Sequence, residues 1–82
     1  MSWWVYVLRC ADDSLYTGIT NDKERRLKQH NAGKASKYTR IRTPVAMIYS
    51  ETAIDRSEAT KREMAIKKLN RAQKLKLIKP AN

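Results

Sequence analysis

Five side chains in this sequence have the types and spacing for acid–base and anion chemistry: Tyr6, Tyr16, Arg26, His30 and Glu63. Arg26 and His30 are one helical turn apart, so on a helix they project from one face, on the side that also holds Leu27. A guanidinium beside an imidazole makes a clamp for a phosphate group. The plainer account is a solvated basic face, and Lys23, Arg25 and Lys28 fit that account. A lone histidine is commonly ordinary surface or a satisfied core residue.

Glu63 stands out by elimination among the eight Asp and Glu residues. Asp22, Glu24, Asp55 and Glu58 fall in first helical turns, where caps and the helix dipole account for them. Asp12 and Asp13 belong to a turn, and Glu51 ends a strand. On a wheel of about 100° per residue, Glu63 lies about 40° from Ala59, at the edge of a buried arc formed by Ala59, Ile66 and Leu69. A partly desolvated carboxylate there wants a cation. Lys67, one turn on, could supply it in a pair worth about 0.2–0.5 kcal/mol; so could a metal ion. The helix alone leaves both open.

Tyr6 and Tyr16 lie on two strands whose turn decides whether they can cooperate. A four-residue loop places them on opposite faces of the sheet, because facing residues share a side. An odd loop, Ala11 to Asp13, pairs Tyr6 with Gly18 and Leu8 with Tyr16 and brings both hydroxyls to one face. We adopt the odd loop, with a bulge near Asp12-Asp13. Gly18 opposite Tyr6 then leaves open space for substrate or water. Other catalytic signatures are missing: there is one His, no glycine-rich phosphate loop and no paired-His metal motif.

The elements that must position these residues follow from pattern. Trp3 to Arg9 and Leu15 to Ile19 are rich in β-branched and aromatic types and flank a turn signal, which predicts a hairpin. Asn21 is expected as an N-cap, with Glu24 completing a capping box, for a helix from Asp22 to about Ala32 that stops at Gly33. Lys34 to Thr43 is polar and basic, a loop by composition. Pro44 opens a third strand, Val45 to Tyr49. Asp55 caps a second long helix, with Glu58 in a capping box, reaching about Leu69. Asn70 caps a last helix, Arg71 to Ile78, before Pro80. The order β-β-α-β-α-α predicts an α+β fold: a small antiparallel three-stranded sheet flanked by helices.

Size and charge bound the function. The chain has 82 residues, 41% hydrophobic, which is room for a single domain over residues 1–82. A chain this short buries only about 60% of its unfolded surface, so the core must be compact. The apolar run Trp3 to Leu8 is too short for a membrane span and lacks signal-peptide flanks, so a cytoplasmic protein with no membrane partner is expected. The single Cys10 excludes an intrachain disulfide and a thiolate cage, and suits a small buried apolar role. Eighteen Lys and Arg against eight acids give a net charge of +10, a field suited to polyanions and to nucleic acid first. Lys34, Lys37, Tyr38, Arg40 and Arg42 form the expected tracking segment, with Tyr38 able to stack on an unpaired base. Gly18 joins them as the open floor of the site.

Taken together these residues resemble the GIY-YIG nuclease superfamily, in particular its small stand-alone UPF0213-like members, from about Trp3 to Ile78. The first motif stands here as Trp4-Val5-Tyr6 and the second as Tyr16-Thr17-Gly18. Arg25-Arg26-Leu27 and His30 follow at the family's spacing, and Glu58-Ala59, Glu63 and Ile66-Lys67 resemble its carboxylate-bearing helix. Trp4 and Val5 replace the Gly and Ile of the first motif. The family asparagine beyond the glutamate has no counterpart, since that region has Lys74-Leu75-Lys76.

The resemblance implies metal-dependent hydrolysis of DNA phosphodiesters, in repair, recombination or mobile-DNA processing. Glu63 would hold one Mg²⁺ or Mn²⁺, and Tyr6 would deprotonate the attacking water. Arg26 would neutralise transition-state charge, with Tyr16 and His30 orienting phosphate and water. The DNA could be single-stranded, branched or duplex, and a protein partner or homodimer could supply targeting. A non-catalytic nucleic-acid-binding module and an RNA- or ribosome-associated protein remain alternatives.

Overall fold

The computed structural model describes residues 2–78. Its elements are β1 (Trp3–Arg9), β2 (Leu15–Thr20), α1 (Lys23–Asn31), α2 (Lys37–Arg40), β3 (Ala46–Ala53), α3 (Arg56–Lys67) and α4 (Arg71–Ile78). One antiparallel sheet has the order β2-β1-β3. Among the described residues no helix is long and apolar enough to cross a membrane.

The hairpin turns as its loop chemistry demands. Cys10 and Ser14 close the ladder with a 2.9 Å backbone bond, and Asp13 N–H returns to Cys10 C=O at 2.9 Å. Asp13 sits in the left-handed region at φ 68°. A type I turn followed by a left-handed residue is the usual three-residue hairpin, and its odd count carries the register through the strands. Tyr6 therefore faces Gly18 and Leu8 faces Tyr16, as expected.

Central β1 is covered on both faces, so Val5 to Leu8 are all buried without alternation. Val5 and Val7 pack with Ala59 and Ile66 of α3, joined by Leu77 and Ile78 of α4. Tyr6, Leu8 and Cys10 pack with Val45 on the opposite face, against Leu27 of α1, Tyr16 and Met47. Full burial of Ile66 alone contributes about 1.5–3 kcal/mol. Cys10 is buried and apolar in its surroundings, as its sequence context implied.

Local signals set most helix ends. The Asp55 carboxylate accepts from Glu58 N–H at 2.8 Å. Asn70 and Gln73 exchange reciprocal side-chain-to-backbone bonds of 2.9 and 3.0 Å, a complete capping box for α4. At the end of α1, Gly33 at φ 77° and Lys34 bond back to His30 and Gln29, a Schellman stop. The expected stop at Pro80 lies outside the described residues.

Four expectations need correction. The cap of α1 is Asp22 rather than Asn21, because Thr20 Oγ1 accepts the Asp22 N–H and holds that residue extended, so Arg25 rather than Glu24 stands at the third helical position. Within the expected loop, Lys37–Arg40 forms a helical turn capped by Ser36, which accepts from Tyr38 N–H. β3 starts one residue late and runs four residues past Tyr49, because pairing with β1 continues to Trp3 opposite Ala53. α3 stops at Lys67, short of Leu69.

Candidate active site

β1 and β2 present Tyr6 and Tyr16 on the face covered by α1. The Tyr6 hydroxyl lies 2.8 Å from His30 Nε2, and His30 Nδ1 lies 2.8 Å from Thr39 Oγ1. Tyr6 and His30 are 2% and 1% exposed, and Thr39 is fully buried. The His30 ring also meets the edge of Tyr16 at 5.2 Å between centroids. His30 is thus a satisfied buried histidine and a neighbour of both tyrosines at once.

Arg26 of α1 and Glu63 of α3 join the group through their charge alone; among the described residues neither side chain is hydrogen-bonded to Tyr6, and α3 packs on the opposite face of β1. Burial and Tyr16 drive the Tyr6 phenol above the ordinary tyrosine value; Arg26 opposes that shift and Glu63 reinforces it. Both charges therefore act on one hydroxyl. The Glu63 side chain is 18% exposed and its carboxylate lies 3.3 Å from Lys67 Nζ, so the ion-pair reading of the sequence is realised. Among the described residues no three His, Cys, Asp or Glu side chains converge on one point, so Glu63 would be a lone protein donor.

Burial and Arg26 hold His30 down, from the ordinary 6.5 to about 4. Across that window the unfolded chain binds a proton that the folded one does not. Stability is complete above about pH 6.5 and falls by up to roughly 3 kcal/mol as pH drops to 4. Urea unfolding of wild type and His30→Gln across this range measures the difference: the variant is expected to lose that part of the slope. Parallel slopes would reject a buried neutral His30.

The open floor expected at Gly18 is filled. A Cβ built there would lie 2.5 Å from the Tyr6 oxygen and 2.6 Å from its ring carbon, because the phenol packs on the bare glycine. Gly18 is buried and supports the site rather than facing a nucleic acid. Gly18→Ala is expected to cost about 1–3 kcal/mol by overpacking and to push Tyr6 off His30. An unchanged melting temperature for this variant would contradict the close approach.

The basic segment meets the group through Tyr38 and Thr39. Lys34, Lys37 and Arg40 line a shallow hollow of about 210 Å³ with Gly33 and Ser36. Tyr38 stacks on Tyr16 at 5.9 Å and 28° between planes, and the Arg42 guanidinium lies 4.0 Å from the Tyr38 ring centroid. Arg42 also bonds Asp12 at 2.9 Å and the Tyr38 carbonyl at 2.9 Å, tying α2 to the hairpin tip. Two of the expected contact residues are therefore engaged within the protein. Thr39 was missed by sequence reasoning. Its one signal was Ser36 as an N-cap within a run otherwise dominated by charge.

The model of the GIY-YIG catalytic domain matches residues 2–76. A UPF0213 protein of Desulfotalea psychrophila is 52% identical over 79 residues, 95% of this chain and 72% of its own length. One from Clostridium perfringens is 55% identical over 92% of this chain and 81% of its own. The solution structure of a UPF0213 protein from Bacillus halodurans is similar at a TM-score of 0.61 and 41% identity, covering 95% of this chain and 83% of that one. A protein structure from E. faecalis is similar at 0.62 and 48% identity, covering 94% and 83%. A match across so much of the chain, carrying the paired tyrosines and the helix of Glu63 with it, makes this protein a member of the GIY-YIG family, the family of nuclease catalytic domains, alongside its UPF0213 relatives.

Proposed function

We propose that the protein is a divalent-metal-dependent endonuclease that hydrolyses DNA phosphodiesters. The observation that carries this reading is the buried Tyr6–His30 hydrogen bond, 2.8 Å long, with Arg26 and Glu63 acting electrostatically on the same phenol. A buried phenol above its ordinary pKa is a poor phenolate, so it needs somewhere to send its proton. Neutral His30 is that acceptor. As the attacking water gives a proton to the Tyr6 oxygen, the Tyr6 proton moves to His30 Nε2. Phosphate held against Arg26 offsets the positive charge that depresses His30, so substrate itself makes the imidazole a better base. Arg26 then faces the negative charge that grows on the phosphoryl oxygens.

Glu63 suits one Mg²⁺ or Mn²⁺, ions that accept a single carboxylate and fill their remaining positions with water and phosphate oxygens. Such an ion, when bound, stabilises charge on the leaving oxygen. Lys34, Lys37 and Arg40 would track the backbone of the DNA. With about four phosphate contacts, affinity should fall about a hundredfold between roughly 50 and 200 mM salt. A flat salt dependence, measured by fluorescence anisotropy, would remove the polyanion argument.

The second reading is a nucleic-acid-binding module with the same frame and little or no turnover. It is favoured by Asn70, whose side chain is consumed in capping α4 and cannot replace the family asparagine. The deciding experiment incubates the protein with single-stranded, branched and duplex DNA in Mg²⁺, Mn²⁺ or chelator. Metal-dependent cleavage is expected; binding without cleavage in either metal supports the module instead.

A further inference from the structure

The relay works only if His30 presents a lone pair, not a proton, to Tyr6. Which nitrogen carries the proton is set by the donors and acceptors around it. Thr39 Oγ1 lies 2.8 Å from His30 Nδ1 and donates to the Ser36 carbonyl at 3.4 Å. A hydroxyl has one proton. With that proton directed at Ser36, Thr39 is left to accept from His30, which requires the imidazole proton on Nδ1. Nε2 is then the acceptor 2.8 Å from the Tyr6 hydroxyl. In this arrangement each donor among Tyr6, His30 and Thr39 has an acceptor. In the opposite tautomer Nε2–H would point at the Tyr6 oxygen and the phenol proton would have no protein acceptor among the described residues, a costly state at 2% exposure.

We infer that Thr39 is a positioning residue, which fixes His30 in the Nδ1–H tautomer and thereby makes Nε2 the proton acceptor for Tyr6. The placement is built in: α2 delivers Thr39 under α1, fully buried, while Ser36 caps the same turn and Arg42 ties it to the hairpin. The link to rate rests on the proposed nuclease reaction, whereas the tautomer itself does not.

His30 is the only histidine in the chain, so long-range ¹H–¹⁵N spectra of the imidazole report its tautomer without assignment by mutation. Wild type and Thr39→Ser are expected to show the Nδ1–H pattern near neutral pH. Thr39→Val, which keeps the shape and removes the acceptor, should shift His30 towards Nε2–H and lower kcat about 10–100-fold with DNA affinity within about twofold. Thr39→Ser should restore both. A wild-type spectrum with Nε2–H overturns the inference whatever the variants do, as does an unchanged Nδ1–H pattern in folded Thr39→Val. A tautomer shift in a protein that never cleaves DNA supports the inference and counts only against the nuclease reading.

Discussion

Tyr6→Phe should lower cleavage by about 10²–10⁴-fold while the domain stays folded, the range lost with a general acid–base group. Phenylalanine keeps the ring packed on Gly18 and against Leu8, Cys10 and Val45, so the hydrophobic cluster survives. What disappears is the hydroxyl between water and His30. His30 Nε2 then loses its 2.8 Å partner in a buried setting, which costs about 1–3 kcal/mol. The melting temperature should fall accordingly, and DNA affinity should change little because Tyr6 is 2% exposed. Single-turnover cleavage, thermal denaturation and anisotropy on one protein preparation separate these effects. Cleavage within a few-fold of wild type would remove Tyr6 from the reaction and with it the relay.

Glu63→Ala should abolish cleavage for a different reason, with even less effect on the fold. Its only ion-pair partner among the described residues is Lys67, 3.3 Å away and 52% exposed. An i,i+4 pair whose lysine end is in solvent is worth roughly 0.3–0.5 kcal/mol, and alanine returns helix propensity at the same position. The change in unfolding free energy should therefore stay within about 0.5 kcal/mol. The loss falls on the metal: Mn²⁺ binding followed by electron paramagnetic resonance should weaken in Glu63→Ala and in the isosteric Glu63→Gln. Undiminished cleavage by either variant would reject Glu63 as the metal ligand. Normal Mn²⁺ binding with no cleavage would place its role elsewhere in the reaction.

The contrast between these two residues explains what could be read without coordinates. Glu63 stood out because the other acids serve turns, caps and strand ends, while the helix wheel left its partner open between Lys67, which the structure pairs with it at 3.3 Å, and a metal ion. The Tyr6–Tyr16 relationship was legible because one odd loop, Ala11 to Asp13, sets the face of every strand residue after it. Asp55, Asn70 and Gly33 signalled their helix ends through bonds that span a few residues. The cap of α1 was misplaced by one position because Thr20, not the helix, decided which residue stayed extended.

From the sequence alone came the β-β-α-β-α-α order of the main elements, the register of the hairpin, the shared face of the two tyrosines and the strong net positive charge. Each depends on a short stretch of chain or on simple composition. The tertiary structure alone decided that Tyr6 occupies the space over Gly18, that β3 runs on to Ala53, and that a turn within a charged segment buries Thr39 against His30. Those outcomes rest on contacts between segments far apart in the chain, where side-chain volume and hydrogen-bond satisfaction govern the result and local periodicity carries no information about either.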